Sequence, residues 1–133
     1  MTAVVRRFAA IESYSPPYHL RTTNRRIFGP DDGVGDLVLV HGTLEPGGRA
    51  DPHYHEHCDQ LIFVIAGSCR VRAGDTDEVL NANDTAFLPR QLPHVVDVLG
   101  DVPLELLVTY LPALRQGDTH PVEADAAEGD GDG

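Results

Sequence analysis

"HYHEHCDQLIFVIAGSCRVRAG", residues 53–74, changes its pattern twice. In "SCRVRAG", 68–74, Cys69, Val71 and Ala73 alternate with Arg70 and Arg72. Successive side chains of a strand point to opposite faces, so this segment reads as a strand with one dry and one wet side. "LIFVIA", 61–66, is apolar at every position and predicts a strand covered on both faces. Ahead of both stand His53, His55 and His57 at alternate positions, and then Gln60.

The same kinds of run recur on either side. "LVLVHGTL" (37–44), "TAFLP" (85–89), "HVVDVLG" (94–100) and "LELLVTYL" (104–111) are short, apolar and rich in β-branched residues, with "EPGG", "AGDTD", "NAND" and "GDVP" between runs. Short strands punctuated by Gly, Asp, Asn and Pro indicate an all-β sandwich or barrel. No ten-residue stretch carries a capped helical period. The 133 residues suffice for one core and leave no room for a second independent domain.

Three regions follow. Residues 1–36, which include "SPPYHLRTTNRRIFGPDDGVGD", read as an extended arm able to add an edge strand to its own sheet or to a partner subunit's. Residues 37–115 form the barrel. Residues 116–133 are expected to be an acidic disordered tail, because "DTHPVEADAAEGDGDG" holds only Val122 as a large apolar side chain and cannot offset its ordering entropy.

Composition narrows the function. A net charge of -11 argues against nucleic acid and anionic membranes as partners, although six of the carboxylates lie in residues 118–133, leaving -5 for the body. With no apolar run near membrane-spanning length and no signal-peptide core at the start, the chain is expected to be soluble and cytoplasmic. Cys58 and Cys69 are too few for a disulfide framework and read as reduced thiols, Cys69 in the core. All ten basic residues are Arg, so lysine nucleophile and Schiff-base chemistry are excluded.

On a strand, residues i and i+2 project from one face roughly 6.5–7 Å apart, so His53 and His55 can converge on one point. A single inward histidine is commonly a satisfied core residue. A pair on one face is harder to place, since each buried imidazole needs partners for two nitrogens. Gln60 lies at an odd offset from His55 and reaches the same interior only if the chain bends, which the polar "EHCD", 56–59, allows. Gln60, Ile62, Val64 and Ala66 then share the inner face of the next strand. His94, its approach stiffened by Pro89 and Pro93, is the candidate for a fourth group. His57 either continues the inward row or sits in the bend facing solvent. His19, His41 and His120 read as structural or surface residues.

"GGRADPHYHEHCDQLIFVIAG", 47–67, resembles the first motif of the cupin superfamily: Gly47, five residues, His53, one residue, His55, four residues, Gln60, six residues, Gly67. "NDTAFLPRQLPHVVDV", 83–98, resembles the second motif through Pro89 and His94. The resemblance spans roughly residues 37–112. It implies a cupin-type β-barrel (jelly roll, or double-stranded β-helix) and a divalent metal held by His53, His55, Gln60 and His94. The chain departs from the family pattern at Gln60, usually Glu, at Asn83 and Gln91, usually Gly, and at Val98, usually Asn. Small single-domain cupins with a His, His, Gln, His set include proteins that open the ring of unsaturated uronates, and this chain resembles them in spacing.

Three neutral imidazoles and one neutral amide would leave the +2 charge of such an ion uncancelled, favouring anionic oxygen ligands. Mixed N/O donors suit Zn, Ni, Mn or Fe. The expected activity is Lewis-acid chemistry on a small carbonyl, sugar-acid or polyketide substrate, as an isomerase, ring-opening enzyme, cyclase or lyase. The alternatives are a non-haem iron dioxygenase and a non-catalytic ligand-binding cupin. His57, Tyr110 and Arg90 are candidates for acid/base work, none of them fixed as a base. Exposed barrel strands and the N-terminal arm predict a homodimer.

Overall fold

The computed structural model describes residues 2–123. Ten strands lie among them: β1 (Ser13–Tyr14), β2 (His19–Phe28), β3 (Val38–His55), β4 (Asp59–Ala66), β5 (Ser68–Ala73), β6 (Thr76–Leu80), β7 (Thr85–Leu88), β8 (His94–Leu99), β9 (Leu104–Leu111) and β10 (Thr119–Pro121). Helix among the described residues is limited to two 3-10 turns, Phe8–Ala10 and Pro30–Asp32. Among the described residues, no helix is long and apolar enough to cross a membrane.

All pairings are antiparallel and follow the path β6-β5-β8-β3-β9-β4-β7, with β2 and β10 also on β3. The sheet closes into a nearly complete barrel. β3 makes this possible by changing neighbours along its length. Val38–Leu44 pairs with β9, whereas Arg49–His53 pairs with β8. Between those halves lies "EPGG", where Gly47 takes φ +82, a left-handed conformation open to glycine at little steric cost. At the end of β4 a Cβ on Gly67 (φ +81) would stand 2.4 Å from the Pro103 carbonyl oxygen, so the motif's second glycine permits a close backbone crossing.

The interior is filled by alternate residues. Val38, Val40 and Leu44 from β3, Ile62 and Val64 from β4, Cys69, Val71 and Ala73 from β5, and Leu104, Leu106 and Val108 from β9 form one continuous core. The alternation expected for "SCRVRAG" is therefore present, with Arg70 and Arg72 turned outward to Asp77 and Asp97. Both cysteines are buried free thiols.

Several expectations need correction. "LIFVIA" is not covered on both faces: Ile62 and Val64 are buried, but Leu61 and Phe63 are 42% and 39% exposed. Barrel closure supplies an inside only, and the outer face of β4 meets solvent within one copy of the chain. Ala66 is exposed rather than inward, because a register shift between Val64 and Ala66 breaks the alternation. The arm, for which its own sheet and a partner's were both open, pairs within this chain, as β2 along β3 from Ala50 to Leu39. The tail does not begin as disorder at residue 116. Residues 119–121 form β10 against His55, Tyr54 and His53, and Asp118 is 6% exposed. The rest of the predicted tail, 124–133, lies outside the described residues.

Candidate metal centre

Within β3 the buried positions are the even ones from Val38 to Pro52; from His53 onward the odd ones turn inward. A register shift between Ala50 and His53 causes this change of phase and brings His53 and His55 into the barrel. The expected bend occupies Glu56–Cys58, after which β4 starts with Gln60 inward. His94 opens β8 directly opposite His53. His53, His55, Gln60 and His94 are 3%, 4%, 7% and 2% exposed, so four polar side chains meet inside the barrel.

The ring centroids of His53 and His94 lie 4.4 Å apart, those of His53 and His55 4.9 Å, and those of His55 and His94 5.6 Å. One ring nitrogen from each of the three comes within 4.8 Å of the others. The remaining nitrogens are engaged. His53 Nδ1–H donates to the Asp51 carbonyl at 2.6 Å, and His94 Nδ1–H donates to the Leu92 carbonyl at 3.1 Å. His55 Nδ1 hydrogen-bonds with Thr119 Oγ1 at 3.1 Å. Nδ1 protonation leaves an Nε2 lone pair facing the centre, as in metal-ligating imidazoles whose other ring nitrogen is held by a hydrogen bond.

His55 Nε2, His94 Nε2 and Gln60 Oε1 are buried and have no hydrogen-bond partner among the described residues. Unsatisfied buried acceptors are costly, roughly 1–3 kcal/mol each, and three around one point fit an absent electrophile. The donor set thus suits a divalent transition ion, and the four residues form a possible metal site. Burial holds all three imidazoles neutral: it pushes His53 and His55 down to about 4 and His94 to about 3, and the neighbouring imidazoles push His55 and His94 the same way. Neutral imidazole is the form that can ligate.

The centre opens into a two-chambered cavity. An inner chamber of about 40 Å³ is walled by His53, Gln60 and His94 with Thr22, Asn24 and Tyr110 among others, and an outer one of about 180 Å³ adds His55, Tyr14, Arg26, Pro16, Pro17 and Leu114. Of the acid/base candidates, Tyr110 alone lines it. Its ring meets His55 edge-on at 5.2 Å, and burial pushes its pKa up, so it stays a neutral phenol. His57 resolves to the bend, its side chain 76% exposed and one ring nitrogen 2.7 Å from the Asp118 carboxylate. Arg90 is bound through Nε and Nη2 to the Asp59 carboxylate on the surface, tying the loop before β8 to the start of β4. Neither lines the cavity.

The structure adds residues that sequence reasoning left out. His19, expected to be structural, lines both chambers with its ring 5.7 Å from His53. Thr22, Asn24 and Arg26 share a face of β2; a register shift between Leu20 and Thr22, where Arg21 takes φ +53, brings His19 onto it too. The period-two polar row "TTNRR" was the available signal, but a polar row facing a cavity looks the same in sequence as one facing water.

Residues 40–110 match the family model described as the cupin domain. The tetracenomycin polyketide synthase protein TcmJ of Streptomyces glaucescens is 28% identical over 124 residues, spanning 89% of this chain and 83% of that one. Among solved structures, the polyketide cyclase RemF from Streptomyces resistomycificus superposes with a TM-score of 0.76 at 24% identity, covering 96% of this chain and 90% of RemF. KdgF from a Halomonas species gives 0.69 at 19% identity, covering 88% and 98%.

Proposed function

This chain belongs to the cupin domain family, and on that premise we propose that it is a divalent-metal-dependent enzyme performing Lewis-acid chemistry on an enolisable carbonyl, in the cyclase class and with an aromatic polyketide as substrate. The observation that carries this reading is the convergence of unpartnered His55 Nε2, His94 Nε2 and Gln60 Oε1 beside His53 at the floor of a cavity. The polyketide assignment draws on TcmJ and on RemF, which both align over most of their length.

A Zn, Ni, Mn or Fe ion held by His53, His55, Gln60 and His94 would supply the Lewis acidity that polarises a carbonyl oxygen. The chain's own residues do the rest. Asp51, Leu92 and Thr119 fix the orientation of the three rings through their Nδ1 bonds. Tyr110, kept protonated by burial, offers a phenol hydrogen to a substrate oxygen beside His55. Val38, Val40, Pro16, Pro17 and Leu114 give the cavity apolar walls that exclude water from a flat ring. The homodimer belongs to the same reading, supported by exposed Leu61 and Phe87 opposed on β4 and β7.

Metal analysis of protein purified without chelator tests the proposal. One equivalent of a divalent transition metal per chain is expected, lost in His53→Ala and in His94→Ala and restored to the wild type after stripping and reconstitution. Absence of a stoichiometric ion under all these conditions sinks it. Oxygen uptake with polyphenols on the iron-loaded protein would replace the cyclase by the dioxygenase.

A further inference from the structure

Of the chain's 21 Asp and Glu residues, 17 are among the described residues, and none of these lines either chamber of the cavity. Instead the lining collects imidazoles, neutral hydroxyl and amide groups, apolar side chains and one guanidinium, that of Arg26 in the outer chamber. The described carboxylates are thus kept out of this space. The potential there favours anions, and Arg26, exposed on β2, offers its cation to the outer chamber from the solvent side.

The place of Arg26 is built rather than incidental. Among the described residues it has no carboxylate within ion-pair distance, which is true also of Arg7, Arg21 and Arg25, but of these four only Arg26 lines the cavity. Its head group lies instead against Gly29, which is buried: a Cβ there would stand 2.0 Å from Arg26 Nη2 and 2.4 Å from its Cζ. The bare backbone of Gly29 therefore seats the guanidinium. Across the sheet, Tyr14 is the register partner of Asn24, two residues from Arg26 on the same face of β2, and both line the outer chamber.

We infer that Arg26 determines specificity at this site by binding a carboxylate at the outer end of an aromatic substrate whose opposite, oxygen-bearing end faces the imidazoles. A guanidinium without an internal partner presents its fork to a planar carboxylate and can take two hydrogen bonds at once. The proline and leucine walls receive the ring between the two polar ends. This deepens the proposed function and rests on it for the reacting end, while the anion anchor is independent of any metal.

The test uses 6-hydroxy-2-naphthoate and 2-naphthol, which share a ring system and a hydroxyl and differ by a carboxylate at the far end. Calorimetric titration of the full chain, once stripped with EDTA and once loaded with zinc, is expected to show at least a tenfold tighter Kd for the hydroxynaphthoate in both states. Arg26→Leu should bring the ratio below twofold, Arg26→Lys should keep it above threefold, and Gly29→Ala, whose methyl displaces the guanidinium, should lower it without removing Arg26. Thermal unfolding of each variant verifies the fold, and Arg26→Lys carries the comparison should Arg26→Leu fail to fold. A ratio unchanged in Arg26→Leu, a wild type without preference, or no binding of either compound overturns the inference. A preference present in stripped protein and lost with Arg26, beside a wild type that takes up no metal, would retain the anchor and reject the Lewis-acid reading.

Discussion

Asn83 and Gln91 stand where the cupin pattern has glycine, and both take left-handed backbone, at φ 75 and 70. The turns are kept because their amides are committed: Asn83 N–H donates to the Val64 carbonyl and Gln91 N–H to the His55 carbonyl, both at 2.7 Å. A side chain in this region costs roughly 1–2 kcal/mol, less for Asn, whose short amide bonds locally. Glycine would remove that strain and return about 0.4–1 kcal/mol of it as unfolded-chain entropy. Gln91→Gly is thus expected to stabilise the protein by roughly 0.5–1 kcal/mol and Asn83→Gly to leave it nearly unchanged. Urea unfolding of the two variants decides; destabilisation by Gln91→Gly would show that its side chain contributes more than the backbone strain.

Among the elements, β10 was the least legible in the sequence, whereas the Glu56–Cys58 bend was expected from "EHCD" and only its anchor was hidden. Composition made residues 116–133 a solvating tail, since nothing in "DTHP" shows an apolar side chain to bury. What holds the segment is polar: Asp118 Oδ1 accepts from the His57 backbone N–H at 2.9 Å and sits 2.7 Å from its Nδ1, while Cys58 Sγ–H points to Oδ2 at 3.4 Å. The Asp118 carbonyl also accepts from the Glu56 amide. The bend that turns Gln60 inward is therefore tied down by a residue 60 positions beyond its last member, Cys58, a distance that local patterning does not register. Asp118→Ala leaves several of these donors unmatched, a loss on the order of 2–3 kcal/mol, with Asp118→Asn costing less because one oxygen still accepts. A cost below about 0.5 kcal/mol for Asp118→Ala in urea unfolding would mean that the bend holds itself. Strands whose buried face is apolar, such as β5, were readable residue by residue. β2 was not, because its inward row is polar and joins the sheet by pairing with β3 from Leu39 to Ala50.

At the scale of the whole molecule, period disclosed an all-β sandwich or barrel and spacing brought His53, His55 and Gln60 together, while the resemblance to the cupin motifs chose the barrel and completed the set with His94. The β3 bulge that orients them was hidden, since a register shift depends on the partner strand. Burying three imidazoles has a global consequence in metal-free protein. His53 and His55 are pushed down to about 4 and His94 to about 3, against an ordinary value of 6.5, with burial as the largest cause in each case. A lowered folded-state pKa means that the unfolded chain binds more protons between those values, so stability is fully present above pH 6.5 and lost as pH falls towards the folded values. Each unfolded imidazole that is charged while its folded counterpart is not adds up to about 1.4 kcal/mol per pH unit, and three together approach about 4 kcal/mol per unit. Against a domain stability of roughly 5–15 kcal/mol, this drives acid unfolding of the apo-protein above pH 4. Circular dichroism of EDTA-treated protein from pH 7 to 3 is expected to show a cooperative transition between about pH 6 and 4, shifted at least half a unit lower by excess zinc, which competes with protons for the same nitrogens. A simultaneous His53→Leu and His94→Leu replacement should flatten the dependence, since leucine does not titrate. An apo-protein equally stable at pH 7 and pH 4.5 would show that the imidazoles are reached by water.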